Sequence, residues 1–233
     1  MLQVTVRAVL GPLARTLYRP VIEGRQNVPR QGPVILAANH LSFADSIVIP
    51  LAAPRPVGFL AKSEYFDGHG LQGVLTREFF TAVGAIPVRR GTHGAVHEPL
   101  ETALDVLAEG RAFGIYPEGT RSRDGRLYRG RTGVAWLALR SGAPVVPVGL
   151  IGTERIQPVG ARLPRIHRVT IRFGVPLHFG TPDSPGPDFP VARGGDGLDG
   201  GLRPGPLRRA ITDRIVAAIG ELTGQERARG YAS

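Results

Sequence analysis

The chain has 233 residues, of which 42% are hydrophobic and 21% are charged, a length and composition that predict one sizeable domain rather than two. It contains no cysteine, which excludes disulfides, thiolate metal sites and cysteine nucleophiles. The 29 basic residues exceed the 19 acidic ones, and since Lys62 is the only lysine, the excess is arginine, which predicts an anionic partner such as a membrane surface or nucleic acid.

Residues 1–20 predict a basic amphipathic helix. Apolar residues recur there at helical spacing, with three arginines between them: Leu2, Val6, Val9, Leu10, Leu13 and Leu17, then Arg7, Arg15 and Arg19. Such a helix can lie in a lipid headgroup layer or can pack on the core of the domain. The arginines argue against a signal peptide, and nowhere does the sequence have the roughly 20 apolar residues of a membrane-spanning helix.

Residues 21–179 alternate short apolar runs with helical patterns, which predicts an α/β core with a mainly parallel mixed sheet flanked by helices. The predicted strands cover 33–38, 57–61, 82–88, 112–116, 145–151 and 169–173. The predicted helices cover 46–53, interrupted near Pro50, then 97–108 and 132–141. Residues 180–206 are rich in Gly and Pro and predict a loop. A final helix is predicted at 207–222 within a C-terminal segment, 207–233.

The first predicted strand leads into His40, and Asp45 follows five positions later. A carboxylate at this spacing can hold one imidazole nitrogen while the other accepts a proton. The pair is half of a catalytic triad without a nucleophile of its own, so it suits activation of a hydroxyl on a substrate. Ser42 and Asp45 also match a helix capping box, in which case His40 is an ordinary hydrogen-bonded histidine.

Residues 116–122 read Tyr-Pro-Glu-Gly-Thr-Arg-Ser and follow the predicted strand at 112–116. Gly119 lets the backbone approach a ligand closely, and Arg121 has the planar fork that phosphate prefers. Thr120 can add a hydroxyl and a backbone N–H. We place Glu118 in the same phosphate site, where it would orient arginines or bind a hydroxyl of the ligand. The alternative is a surface turn with a local ion pair.

His40 and Asp45, followed by the Pro-Glu-Gly-Thr-Arg-Ser string, resemble the signature of the glycerolipid acyltransferase family. Residues 84–90, Gly-Ala-Ile-Pro-Val-Arg-Arg, resemble the block between these two strings, and residues 145–148, Val-Val-Pro-Val, resemble the block after them. The four blocks keep the family's order. The middle block commonly ends Asp-Arg in the family, whereas here it ends Arg89-Arg90, which adds positive charge beside the predicted phosphate site.

The resemblance implies an enzyme that moves a fatty acyl group from acyl-CoA or acyl carrier protein to the free hydroxyl of a lysophospholipid. It implies 1-acyl-glycerol-3-phosphate as the acceptor, with glycerol-3-phosphate or another polar lipid as the alternative. His40 would be the general base and Asp45 its orienting acid, with no metal and no cofactor besides the acyl donor as co-substrate. Such an enzyme is expected at the cytoplasmic face of the cell membrane, bound peripherally to an anionic surface.

Four further residues are assigned: Arg89, Arg90 and Pro147 from their positions in these blocks, and Lys62 because the resemblance places a lysine there in the family as well. Arg89 and Arg90 end a predicted strand and are expected to reach the same phosphate as Arg121, because parallel strands present their C-terminal ends side by side. Lys62 is expected to bind phosphate or the developing oxyanion of the thioester, or else to be a solvated loop residue. Pro147 is expected to shape the wall of the acyl pocket, or else to have a packing role only.

The alternative from another class is a non-catalytic basic module that binds anionic membrane or nucleic acid. A binding module has no need of the His40–Asp45 pair, and the low aromatic content of 6%, without a recognised reading motif, argues against nucleic acid. Residues 68–73 match Gly-x-Gly-x-x-Gly, but no clear predicted strand immediately precedes them, which argues against a dinucleotide site.

Overall fold

The computed structural model describes residues 8, 11–12, 14–63, 66–68, 70–88, 98–158, 163–181, 183–190 and 204–232. The strands of its main sheet are β1 (Val21–Glu23), β2 (Val34–Ala38), β3 (Val57–Lys62), β4 (Ala85–Val88), β5 (Ala112–Ile115), β6 (Val145–Ile151) and β7 (Thr170–Phe173). The helices are α1 (Asp45–Ala52), α2 (Gly70–Ala82), α3 (Glu98–Ala108), α4 (Gly133–Ser141), α5 (Thr153–Ile156) and α6 (Pro204–Thr223). A 3-10 turn covers Arg25–Asn27, and β8 (Gly180–Thr181) pairs with β9 (Ser184–Pro185) in a small hairpin.

The strand order in the main sheet is β1-β7-β6-β2-β5-β3-β4. The neighbours from β6 to β4 run parallel, whereas β7 runs antiparallel to β6 and parallel to β1. The central strands β2 and β5 lie side by side with Ala37 opposite Ile115. The segments after these two strands therefore leave the same edge of the sheet, which brings residues 39–45 beside residues 116–122.

Apolar side chains cover both faces of the sheet. On one face, α3, α4 and α6 pack on the strands through residues that include Phe113, Leu137 and Ile215. On the other face, α1 packs through Ile49 beside Phe59. Strand β2 is buried along its whole length, as expected of a parallel strand between two layers of helices. The predicted fold class is confirmed.

Most of the predicted strands and helices occur within one to three residues of their predicted bounds. Two differences have a physical reason. Helix α1 is not interrupted at Pro50, since the helix continues to Ala52 and the N–H of Ala53 still bonds to the carbonyl of Ile49. Helix α2 was not predicted, because Gly70 and Gly73 weaken its local helical signal, and the predicted strand at 82–88 starts only after α2 ends.

Other predictions fall partly outside the described residues. Within 1–20, residues 8, 11–12 and 14–18 are helical, and the rest of the predicted helix lies outside the description. The same holds for 191–203 in the predicted loop. The short strand β1 and the single-turn helix α5 had no clear sequence signal. Across the described ranges, no helix has the length and hydropathy needed to cross a membrane.

Helix α6 approaches β6 most closely at Gly149. A Cβ atom at this position would lie 2.7 Å from the Cβ of Leu222, so Gly149→Ala should force the helix away from the sheet. We expect a loss of about 1–3 kcal/mol in the free energy of unfolding, measured by chemical denaturation.

The matched control is Gly220→Ala in α6, where the new Cβ would make an ordinary 3.4 Å contact with Leu127. The control should be neutral or stabilising by up to about 1 kcal/mol, through helix propensity. Equal effects at both glycines would contradict close packing at Gly149.

Candidate active site

Asp45 begins α1, and one of its oxygens organises the turn before the helix. Oδ2 lies 2.8 Å from Nδ1 of His40 and accepts the backbone N–H groups of Leu41 at 2.7 Å and Ser42 at 2.8 Å. The Asp45 side chain is fully buried, whereas that of His40 is 18% exposed. The carboxylate therefore holds both the turn before α1 and the ring of His40. Since Nδ1 is engaged, Nε2 is the ring nitrogen left to accept a proton.

The peptide groups of His40 are held by the segment that follows β5. The N–H of His40 donates to Oε1 of Glu118 at 3.0 Å, and its carbonyl accepts the N–H of Ser122 at 2.7 Å. Residues 40 and 118 are 78 positions apart in sequence. They meet because β2 and β5 are adjacent parallel strands. The two strings identified in the sequence thus form one structural unit.

Glu118 lies buried inside this unit and does not face the solvent. It is 1% exposed, and its second oxygen accepts the backbone N–H of Tyr128 at 2.9 Å. Burial raises the pKa of Glu118 to about 7, and the two backbone hydrogen bonds only partly oppose that rise. With both oxygens turned to backbone N–H groups, Glu118 has a positioning role. This geometry does not support its predicted place among the phosphate ligands.

The ring of Tyr116 lies flat against the imidazole of His40, with ring centroids 3.9 Å apart and an interplanar angle of 9°. Its hydroxyl lies 2.9 Å from Oγ of Ser46, the residue after Asp45. Burial raises the pKa of Tyr116 well above its ordinary value, so the phenol stays protonated. Tyr116 therefore limits rotation of the His40 ring, a role that sequence reasoning did not assign.

Asn39 fixes the residue before His40. Its Nδ2 donates to the carbonyl of Leu150 and to Oε1 of Gln225, both at 2.9 Å, and its Oδ1 accepts the N–H of Leu150 at 2.7 Å. Asn39 is fully buried. Its amide thereby ties the end of β2 to β6, the neighbour on the side opposite β5.

His40 opens onto a cavity of about 460 Å³, called here the His40 pocket. Gly119, Thr120 and Arg121 line it together with His40. Its remaining lining is mostly apolar and includes Phe43, Ile47, Phe59, Leu60, Phe80, Val83, Phe113 and Gly114. The arrangement combines a base, an arginine and a hydrophobic interior. Sequence reasoning missed this aromatic lining, because its members come from separate strands and helices.

The other predicted site residues lie elsewhere. Pro147 is within β6, opposite Ala37, and is not among the residues that line the His40 pocket, which favours the packing role over the acyl-pocket role. The backbone of Lys62 ends β3, at the same edge of the sheet as His40. Arg89 and Arg90 lie outside the described residues, so their predicted role stays a prediction.

Within the part of the chain that the structure describes, no group of three or more His, Asp or Glu side chains is placed to hold a metal ion.

Comparison with known proteins gives consistent matches. The family model described as Acyltransferase matches residues 19–151. The chloroplastic 1-acyl-sn-glycerol-3-phosphate acyltransferase BAT2 of Brassica napus is 30% identical over 145 residues, which cover 62% of this chain and 40% of that protein. The 1-acyl-sn-glycerol-3-phosphate acyltransferase of Bacillus subtilis is 28% identical over 159 residues, covering 67% of this chain and 73% of that one.

One solved structure shares the fold. The crystal structure of the 1-acyl-sn-glycerophosphate acyltransferase PlsC from Thermotoga maritima superposes with a TM-score of 0.64 at 24% identity. The match covers 94% of this chain and 79% of that chain. The match to the Brassica protein, by contrast, spans well under half of that protein's length.

The raised pKa of Glu118 predicts a pH dependence of stability. Between its ordinary pKa of 4.5 and the folded value of about 7, the unfolded chain ionises Glu118 while the folded protein keeps it protonated. The contribution of Glu118 to the free energy of unfolding is therefore fully present below pH 4.5 and is lost as the pH rises to about 7. The loss is at most roughly 1.4 kcal/mol per pH unit.

Glu118→Gln removes this titration. Denaturant unfolding at several pH values should therefore show the wild type losing stability relative to the variant across this window and no further above it. A stability difference that does not change with pH would contradict the raised pKa.

Proposed function

Because the chain belongs to the acyltransferase family, we propose that it transfers a fatty acyl group to the free hydroxyl of a lysophospholipid. The proposed donor is acyl-CoA or acyl carrier protein, and the proposed acceptor is 1-acyl-glycerol-3-phosphate, which gives phosphatidic acid. The observation that carries the proposal is the buried Asp45 carboxylate 2.8 Å from His40, at a pocket that also has Arg121 in its lining. The names of the relatives support this choice of acceptor.

The first step is removal of a proton from the acceptor. Nε2 of His40 accepts the hydroxyl proton as the hydroxyl oxygen attacks the carbonyl carbon of the thioester. Asp45 keeps the proton of the neutral ring on Nδ1 and then stabilises the imidazolium that forms. The stacked Tyr116 ring and the bonds to Glu118 and Ser122 hold the imidazole in place through this step.

The second step releases the thiol. The new C–O bond is complete in the tetrahedral intermediate, and the C–S bond breaks as that intermediate collapses. The departing sulfur takes the proton from Nε2 of His40, which returns the ring to its neutral form. No protein residue becomes acylated and no electron transfer occurs. The proposed reaction therefore needs no cofactor beyond the acyl donor.

Arg121 is the proposed ligand for the acceptor phosphate. It is exposed, follows the turn at Gly119 and lies in the lining of the pocket that contains His40. An exposed guanidinium can approach a headgroup without the cost of burying an unpaired charge. Arg89 and Arg90 are kept as further proposed phosphate ligands, because they follow Val88, which pairs with Lys62 at the same edge of the sheet. Lys62 remains the proposed donor to the oxyanion.

We also place the protein peripherally at the cytoplasmic face of a membrane. The proposed acceptor sits with its hydroxyl at headgroup level, and the chain carries a formal net charge of +10, which favours an anionic surface. In the helical segment 14–18, Arg15 is exposed and Leu17 is 46% exposed. This combination supports contact with the headgroup layer.

The base is tested by substitution. We expect His40→Ala to lower turnover by about 10²–10⁴-fold, and Asp45→Asn by about 10²-fold, because general-base catalysis supplies a factor of this order. The measurement is product formation from labelled acyl-CoA and lysophosphatidate, with circular dichroism as the check on folding. The matched control is His178→Ala, which removes an exposed histidine whose backbone N–H, not its ring, bonds to Asp188. Turnover of folded His40→Ala within a few-fold of wild type would overturn the mechanism.

The phosphate ligand is tested by a change of substrate. Arg121→Gln should raise the acceptor KM about 10–100-fold with little change in the donor KM, since a hydrogen bond to a charged group contributes roughly 1.5–3 kcal/mol. The control is Arg111→Gln, because Arg111 precedes β5 and pairs with Glu109, whereas Arg121 follows β5. An equal loss toward an acceptor without phosphate would place Arg121 outside the phosphate site.

A further inference from the structure

A second cavity of about 460 Å³ lies against a different face of α1 from the His40 pocket. Helix α1 contributes Val48 and Leu51 to its wall, together with Ala44 just before the helix. The opposite wall comes from the helical segment 14–18, and its floor includes Ile171 of β7. The proposed chemistry of His40 uses none of these side chains.

The lining of the second cavity is almost entirely apolar. Among its described lining residues, Arg15 and Gln157 carry the only charged or amide side chains, and Tyr18 carries the only hydroxyl. A pocket for a polar ligand normally has several convergent polar groups that fix its orientation. The second cavity lacks such a set among its lining residues. Its volume falls within the roughly 300–1,000 Å³ of ligand pockets, so the chemistry that fits it is a hydrocarbon chain.

The second cavity shares a wall with the His40 pocket. Phe43 and Ile47, one helical turn apart, line both cavities and form the ridge between them. Phe43 is also three positions after His40 in the same turn. A ligand whose hydroxyl lies at His40 therefore has a short path over this ridge into the second cavity.

We propose that the second cavity binds the hydrocarbon chain that the acceptor lysolipid already carries, a proposal that rests on the proposed function. The reaction brings two hydrocarbon chains to one base. The donor chain begins at the carbonyl carbon that is attacked, so it extends from His40 directly into the apolar interior formed by Phe59, Phe80 and Phe113. The acceptor chain is separated from its hydroxyl by the glycerol backbone, a spacer that can span the Phe43–Ile47 ridge.

The position of the second cavity also fits a chain that comes from a bilayer. Leu17, which is 46% exposed, and the exposed Arg15 both belong to its lining. These residues belong to the predicted N-terminal amphipathic helix, which can lie in a lipid headgroup layer or can pack on the core. A lysolipid can then leave its chain partly in the membrane until the second cavity takes it up. Longer chains should bind more tightly, because each further methylene group buried is favourable.

Gly11 offers a way to fill the second cavity without disturbing its walls. It is buried and lines the cavity, and a Cβ atom at this position would meet no heavy atom within 4 Å. Gly11→Phe should place its ring in the space proposed for the chain. The matched control is Gly205→Phe in α6, an exposed helical glycine whose Cβ would also meet nothing within 4 Å. Ala14→Phe, from the next turn of the same wall, is the second variant should Gly11→Phe fail to fold.

The experiment compares hexadecanoyl and hexanoyl lysophosphatidate as acceptors with the full chain. We expect Gly11→Phe to raise the acceptor KM for the long chain about tenfold, the equivalent of roughly two buried methylene groups. The KM for the short chain and the KM for acyl-CoA should stay at the wild-type values, and Gly205→Phe should behave as wild type. Equal changes for both acceptors, or a shift in preferred donor chain length, would overturn the proposal. Weaker binding of Gly11→Phe to vesicles, with an unchanged preference between the two acceptors, would also overturn the proposal.

Equilibrium dialysis of the same two lysolipids, without donor, separates this proposal from the proposed function. Tighter binding of the long chain that is lost in Gly11→Phe supports the second cavity as the chain site even if no acyl transfer is found. Acyl transfer with normal chain preference and normal binding in folded Gly11→Phe and Ala14→Phe overturns the chain site and leaves the proposed function standing.

Discussion

The candidate site depends on the parallel pairing of β2 with β5. That pairing brings the N–H and the carbonyl of His40 within hydrogen-bond distance of Glu118 and Ser122, which are distant in sequence. A histidine at the end of a strand would otherwise be free to turn with its loop. Here its backbone is held by the same segment that carries Arg121, so the two residues lie at one end of the sheet. Positioning of this kind reduces the entropy that must be lost when two substrates meet.

Asp45 shows why the spacing of five residues matters. Its Oδ2 accepts two backbone N–H groups of the turn and contacts the His40 ring, all within 2.8 Å. The N-cap of α1 is Ala44, which has no side-chain capping bond, so Asp45 holds the turn before the helix rather than the helix terminus. Its two bonds to backbone N–H groups fix the position of the carboxylate beside the His40 ring. The same oxygen, Oδ2 of Asp45, thus holds the turn and contacts the imidazole.

The sequence was sufficient to predict those parts of the site that depend only on neighbouring residues. The strand before His40, the turn at Gly119 and the arginine after it are all readable from neighbouring residues. The positioning role of Glu118 could not be predicted in this way, because it depends on the backbone N–H of Tyr128. Tyr128 is ten positions further along, in a segment without helix or extended strand. The aromatic lining, including Phe59 and Tyr116, comes from different strands, and no periodicity in one segment could indicate that the two rings lie 5.5 Å apart. Helix α2 was missed because tertiary packing, not propensity, stabilises a helix with glycines in its first turns.

Helix α1 connects these observations with the two cavities. Its first residue holds the base, and the stripe formed by Phe43 and Ile47 faces both the His40 pocket and the second cavity. Ile49, on the far side of α1, is fully buried against the sheet. A displacement of α1 that widened one cavity would narrow the other and would also shift Asp45. The shapes of both cavities and the position of Asp45 are consequently coupled through one short helix, so the size of the side chains at positions 43 and 47 affects the space in both cavities.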